Sequence, residues 1–136
     1  MYCKLQIKLE DKIISADAII DTGNFLRDPI TKRPVIVIDK ETLRGILPDD
    51  FLDNLLQIIS GKDIDIGSYT SKIRLIPFTS LGKENGLLIG LKAEKAVISY
   101  NTEIINIDDV IIGIYNGVLS KTNKYSALVG IGIIDN

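Results

Sequence analysis

From Cys3 to Glu10 the chain alternates strictly: Cys3, Leu5, Ile7 and Leu9 are apolar, and Lys4, Gln6, Lys8 and Glu10 are polar. A period of two marks a strand with one wet face, because successive side chains of extended backbone point to opposite sides. A helix would scatter the same residues around its whole circumference. Residues 13–20 form a second apolar stretch, and Glu10-Asp11-Lys12 between them reads as the turn of a hairpin. The aliphatic load is rich in isoleucine, whose branched side chain suits a pleated surface better than a helix.

The rest of the chain continues this pattern with one exception. Val35-Ile36-Val37-Ile38 reads as a short buried strand. Residues 72–78 and 86–91 read as strands around a turn, and 96–100 and 103–107 as a hairpin around Asn101-Thr102. Val110-Ile111-Ile112-Gly113 is a further apolar run, 114–126 a polar loop, and 127–134 a terminal strand. Residues 40–60 differ. Phe51, Leu52, Leu55, Leu56, Ile58 and Ile59 recur at helical spacing behind Pro48, Asp49 and Asp50, and Gly61 comes after them. Acidic residues suit the positive end of a helix and glycine its stop, so the pattern predicts a helix over 49–60 with a shorter one at about 40–46. The expected fold class is mainly β, one domain over residues 1–136, with a helical insertion around 40–60.

Composition narrows the chemistry chiefly by what is missing. The 136 residues contain no histidine, which removes Ser-His and Cys-His nucleophile pairs and histidine-based metal sites. Cys3 is the single cysteine, so no internal disulfide and no Cys-x-x-Cys site exists, and its place in an alternating strand marks it as a small core residue. No metal and no cofactor is expected. A net charge of −2 with mixed signs gives no electrostatic case for nucleic acid. No stretch approaches the ~20 apolar residues of a membrane helix, and the first residues lack the apolar core of a signal peptide. The chain therefore reads as soluble and intracellular.

The second strand runs without a break into Ile19-Ile20-Asp21-Thr22-Gly23-Asn24, a motif that occurs once. An apolar strand ending in Asp-Thr-Gly is how aspartic peptidases present their carboxylate. Peptide hydrolysis without metal or nucleophile needs an activated water. An ionised carboxylate takes a proton from that water, and a protonated one donates to the carbonyl oxygen. Two carboxylates in contact cannot both ionise cheaply, so the pair shares a proton and titrates jointly. One copy is half a site, and a second copy of the chain is needed to complete it. In this reading Asp21 is the catalytic carboxylate, and Thr22 hydrogen-bonds across to the partner's loop. Gly23 lets backbone N–H groups approach where a side chain would crowd the pair. A later hydrophobic-hydrophobic-Gly segment is expected beside this loop. Ile111-Ile112-Gly113 fits, with Leu88-Ile89-Gly90 as its rival.

Other readings stand beside this one. Asp-x-Gly after a strand is common as a plain turn, and a catalytically silent dimeric β module used for protein binding would carry the same residues. A strand-turn gripping a nucleotide phosphate needs two large lobes, for which 136 residues leave no room.

The stretch 18–35, Ala-Ile-Ile-Asp-Thr-Gly-Asn-Phe-Leu-Arg-Asp-Pro-Ile-Thr-Lys-Arg-Pro-Val, closely resembles the sporulation sigma-E factor-processing peptidases. Further echoes are Ile76-Pro77-Phe78, Gly82, Gly86-Leu87-Leu88 and Ile111-Ile112-Gly113. The resemblance implies a retropepsin-like aspartic protease barrel that works as a homodimer, with Asp21 as the catalytic aspartate. The implied substrate is pro-sigma-E. The implied partners are an activator secreted from the forespore and an N-terminal membrane domain, absent from this chain, that places the whole protein in the mother-cell membrane at the sporulation septum. Retropepsins usually carry Ala or Ser where Asn24 stands; its amide either donates to the carboxylate or merely caps the turn. Gly82-Lys83-Glu84-Asn85-Gly86 is a candidate flap over the substrate, with 61–67 competing. The N- and C-terminal strands are expected to form the dimer sheet, as in retropepsins.

Overall fold

A computed structural model describes residues 1–23, 26–62, 67–79 and 85–134. The strands are β1 (Tyr2–Leu9), β2 (Lys12–Asp21), β3 (Val35–Asp39), β4 (Ile73–Thr79), β5 (Asn85–Tyr100), β6 (Glu103–Tyr115) and β7 (Ala127–Gly130). They run in the order β1-β2-β7-β3-β6-β5-β4, and a β1–β5 pairing closes the first six into a barrel. The result is the expected mainly β class, consistent with a retropepsin-like barrel. Most neighbours are antiparallel, but β2–β7 and β3–β6 are parallel. β4 stands outside the ring, paired to β5 alone among the described strands.

The alternation of β1 is realised in full, with Cys3, Leu5, Ile7 and Leu9 buried and the residues between them exposed. Its hairpin with β2 turns at Glu10-Asp11, since Leu9 is paired with Lys12. β5 is long because it serves two neighbours on one edge. Residues 85–91 carry β4, and 95–99 carry β1. Two segments expected separately, 103–107 and 110–113, are one strand, β6. The ladder passes from the Ala93–Val110 pair to the Lys95–Asp108 pair, and Asp109 between them takes φ +57°. Like charges directly opposite one another disfavour pairing, and Glu94 and Asp109 are the two residues the ladder skips. This kink interrupts the apolar pattern in the middle of a continuous strand.

The insertion packs its apolar side chains into the barrel core. Residues 40–43 form a 3-10 turn, followed by α1 (Asp49–Leu52) and α2 (Leu55–Ile59). Leu43, Leu47, Phe51, Leu52 and Leu55 are buried in the barrel core, and Phe51 stacks on Tyr69 with ring centroids 6.0 Å apart. Burying side chains of this kind contributes about 1.5–3 kcal/mol each. The single helix expected over 49–60 is broken at Asp53-Asn54. The Asn54 amide donates to the Asp50 carbonyl at 2.7 Å, a side chain competing for a backbone acceptor, and Asn54 itself leaves helical geometry. Gly61, at φ +87°, ends α2 as expected.

A second, smaller apolar cluster lies apart from the main core: Val35, Val37, Ile76, Leu88 and Ile111. Leu26, Phe78, Tyr115, Leu119 and Leu128 pack against it. It exists because Gly90 and Gly113, directly paired between β5 and β6, leave room. A Cβ on Gly90 would stand 2.9 Å from both Ile111 Cγ2 and Ile76 Cγ1, and one on Gly113 2.9 Å from Val35 Cγ1.

Two expectations about the terminal strands are corrected. The segment 127–134 is a strand only to Gly130 and then turns into α3 (Ile131–Ile134). A short apolar run does not by itself distinguish strand from helix. The turn lets Ile133 pack back into the core. Nor does either terminal strand lie at an outer edge of the sheet, the place expected for a dimer sheet. β1 lies between β2 and β5, and β7 between β2 and β3.

Candidate active site

β2 delivers Asp21. Ala18 and Ile20 are buried, so the strand is anchored up to the residue before the carboxylate, and Asp21 at its end is half-buried. Thr22 and Gly23 are exposed. The backbone N–H of Gly23 donates to Asp21 Oδ1 at 3.0 Å, so the chain caps the carboxylate it has just presented. A Cβ on Gly23 would lie 3.5 Å from that oxygen, an ordinary contact, so within one chain a side chain there does not crowd the acid. Asn24 and Phe25 lie outside the described residues.

The strand alongside Asp21 is not the one expected. In the parallel β2–β7 ladder Ile20 pairs with Val129 and Asp21 with Gly130. The hydrophobic-Gly segment at the acid is therefore Leu128-Val129-Gly130. Ile111-Ile112-Gly113 lies further round the barrel, separated from β2 by β7 and β3. There Gly113 pairs with Val37 and Gly90, and Ile111 with Val35 and Lys92. The rival segment Leu88-Ile89-Gly90 belongs to β5 and faces β4 and β6. The triplet that lies at the acid is concealed in the sequence inside an apolar run that reads as a plain terminal strand. Its distinguishing signal is the segment just after the glycine, Ile131-Gly132-Ile133-Ile134, where apolar residues occupy a helical turn.

The loop beyond Asp21 returns at once. Val35 N–H donates to the Leu26 carbonyl at 3.1 Å, and Arg27 bridges Pro34. At the base of this loop Asp28 is only 1% exposed. Its carboxylate accepts from Ile30 N–H at 3.1 Å and from the Thr31 hydroxyl at 2.8 Å, and Arg74 Nε of β4 stands 3.6 Å away. Burial alone would push this carboxyl up. The hydrogen bonds from Ile30 and Thr31 and the charge of Arg74 outweigh it, and the group is held below its ordinary value. Gly130, Gly132 and Ile133 close against Leu26, Arg27, Pro34 and Val35 around a cavity of about 20 Å³, room for one water molecule.

Of the expected flap, Gly82, Lys83 and Glu84 lie outside the described residues, as do 63–66 of the competing stretch. Asn85 and Gly86 are strand residues rather than tip residues, paired with Thr79 and Phe78. The arms of that hairpin, β4 and the start of β5, are in place. No group of three Asp, Glu, Cys or His side chains close enough to hold a metal occurs among the described residues.

Residues 1–133 match the family described as Peptidase_U4, Sporulation factor SpoIIGA. The chain belongs to this peptidase family. It is 33% identical over 128 residues to the sporulation sigma-E factor-processing peptidase of Priestia megaterium, covering 92% of this chain and 41% of that one. It is 32% identical over 130 residues to the Bacillus subtilis protein of the same name, covering 92% and 42%. The chain thus spans about two fifths of the length of these two curated relatives. No solved structure matches it. No helix among the described residues is long and apolar enough to cross a membrane.

Proposed function

We propose that this chain is the protease part of a membrane-associated aspartic endopeptidase that removes the pro-sequence of pro-sigma-E during sporulation, with a homodimer supplying one Asp21 from each copy. The observation that carries this reading is the placement of Asp21. It is a half-buried carboxylate at the end of an anchored strand, capped by Gly23 N–H at 3.0 Å, with the Gly130 strand running parallel beside it. A second copy related by a twofold axis would bring the two carboxylates together on that axis.

In the assembled dyad the ionised Asp21 accepts a proton from the attacking water, and the protonated Asp21 of the other copy donates to the scissile carbonyl oxygen. In this reading the Gly23 N–H orients the oxygen it reaches, and the exposed Thr22 beside it meets the partner's loop. Substrate specificity for the sigma-E precursor is taken from the relatives' names, and membrane anchorage and the forespore activator from the family resemblance. We assign anchorage to a domain outside this chain.

The test is processing in cells. The precursor is co-expressed with the membrane-anchored protein and its activator, comparing wild type with Asp21→Ala and Asp21→Asn. Cleavage should fall by at least about a hundredfold in both variants, the scale of losing a positioned acid–base group. Asn at this position retains an oxygen for the Gly23 N–H, so the fold survives. Processing that persists in both variants would remove the protease assignment and leave a protein-binding β module.

A further inference from the structure

The Asp28-Pro29-Ile30-Thr31 segment is not used by the dyad, yet it contains one of the most deeply buried charges in the described chain. A surface aspartate can close this turn equally well, because the bonds to Ile30 N–H and the Thr31 hydroxyl are local. Burying a carboxylate is unfavourable unless it is paired, so burial to 1% exposure calls for a reason beyond the turn. The partner it gains there is Arg74, near the start of β4.

β4 needs such a partner. It is the one strand outside the closed barrel, paired to β5 and to no other described strand. It also precedes the candidate flap at 82–86, of which Gly82, Lys83 and Glu84 lie outside the described residues. Two contacts on one face of β4 tie it to the loop after Asp21. Ile76 and Phe78 pack in the small apolar cluster with Val35 and Leu26, which hold the two ends of that loop together. Arg74, two residues back on the same face, reaches Asp28 at the loop's base. Gly90 opposite Arg74 has no side chain, and a Cβ there would stand 3.4 Å from the Arg74 Cβ.

We propose that Arg74 and Asp28 form a positioning strut that sets the β4–β5 arm against the Asp21 loop, so that Arg74 governs how firmly the extended peptide is held rather than how fast its bond is cut. The proposal rests on the peptidase reading for its kinetic consequence and on geometry alone for its mechanical one. Arg74 is one-third exposed and so partly screened by solvent, and without it Asp28 still keeps its bonds to Ile30 and Thr31, so its removal is felt chiefly where β4 meets the loop.

The experiment uses Arg74→Met, which keeps the unbranched stem, and Arg74→Lys, which restores a charge. Purified sigma-E precursor is the probe for the full-length peptidase in detergent with its activator. Arg74→Met should raise KM about tenfold with kcat within about twofold of wild type, the pattern of lost uniform binding, and Arg74→Lys should recover most of the difference. In the same proteins, amide hydrogen exchange should quicken in residues 73–79 and 26–35 of Arg74→Met while β1 and β6 keep their protection. A fall in kcat that matches the rise in KM, together with a lowered Tm, would make Arg74 merely structural and overturn the proposal. So would unchanged exchange in both segments, or a lysine variant no better than methionine. If Asp21→Ala retains processing, the peptidase reading fails by itself, and the exchange result still decides the strut.

Discussion

Two aspartates in one loop have opposite environments. Asp21 is half-buried and accepts one backbone N–H, which leaves it open to the role proposed for it. Asp28 is buried, doubly hydrogen-bonded and faced by an arginine, as suits a group that stays ionised. Its carboxyl is held below the ordinary value of 3.8, so its stabilising contribution is complete above that pH and is lost as pH falls through the lower folded value. Asp28→Asn should therefore lower Tm at neutral pH, and the gap to wild type should close as both are taken below about pH 4. Thermal melts from neutral pH into the acid range read this directly. A gap that stays constant throughout would mean that the asparagine loses shape complementarity rather than charge. Nothing in the spelling of Asp28-Pro29 announces burial, because proline after aspartate reads first as a turn.

At the scale of elements, the pair of glycines facing each other across β5 and β6 carries a prediction. Gly90→Ala would put a methyl 2.9 Å from Ile76 and Ile111 side-chain carbons, in a cluster held between the barrel wall and β4. Overpacking of this kind costs about 1–3 kcal/mol, so the urea midpoint should drop with little change in slope. A neutral result would show that β4 yields outward, and that the arm is softer than its packing indicates. The helical insertion makes the converse point. Its apolar spacing is a true guide to the buried face, since Phe51, Leu52 and Leu55 do meet the core, but the break at Asn54 depends on one side-chain bond to the Asp50 carbonyl. Arg44, bonded to Glu41, Asp49 and Asp53 at 2.6, 3.0 and 2.6 Å, ties the 3-10 turn to both ends of α1.

At the scale of the whole molecule, the closed ring has a consequence for assembly. The strands nearest the termini each lie between two neighbours in the ring, so we expect the proposed dimer to be held by side chains and loops around Asp21 rather than by a shared sheet. Such an interface is weak without further contacts. The isolated chain should sediment as a monomer at low micromolar concentration, and its specific activity should rise with concentration or when two copies are fused in tandem. A stable dimer at that concentration would contradict this. The features legible in the sequence were those set by nearest neighbours along the chain. They include the alternation of 3–10, the hairpins at 9–12 and 100–103, the apolar face of the insertion and the Asp-Thr-Gly that ends β2. What tertiary structure decided was which of three similar hydrophobic-Gly triplets lies against Asp21, that 127–134 is half strand and half helix, and that Asp28 meets Arg74. Those outcomes depend on strand order and on parallel ladders between segments far apart in sequence. Local residue patterns specify which face of a strand is apolar, and they leave open which strand lies beside it.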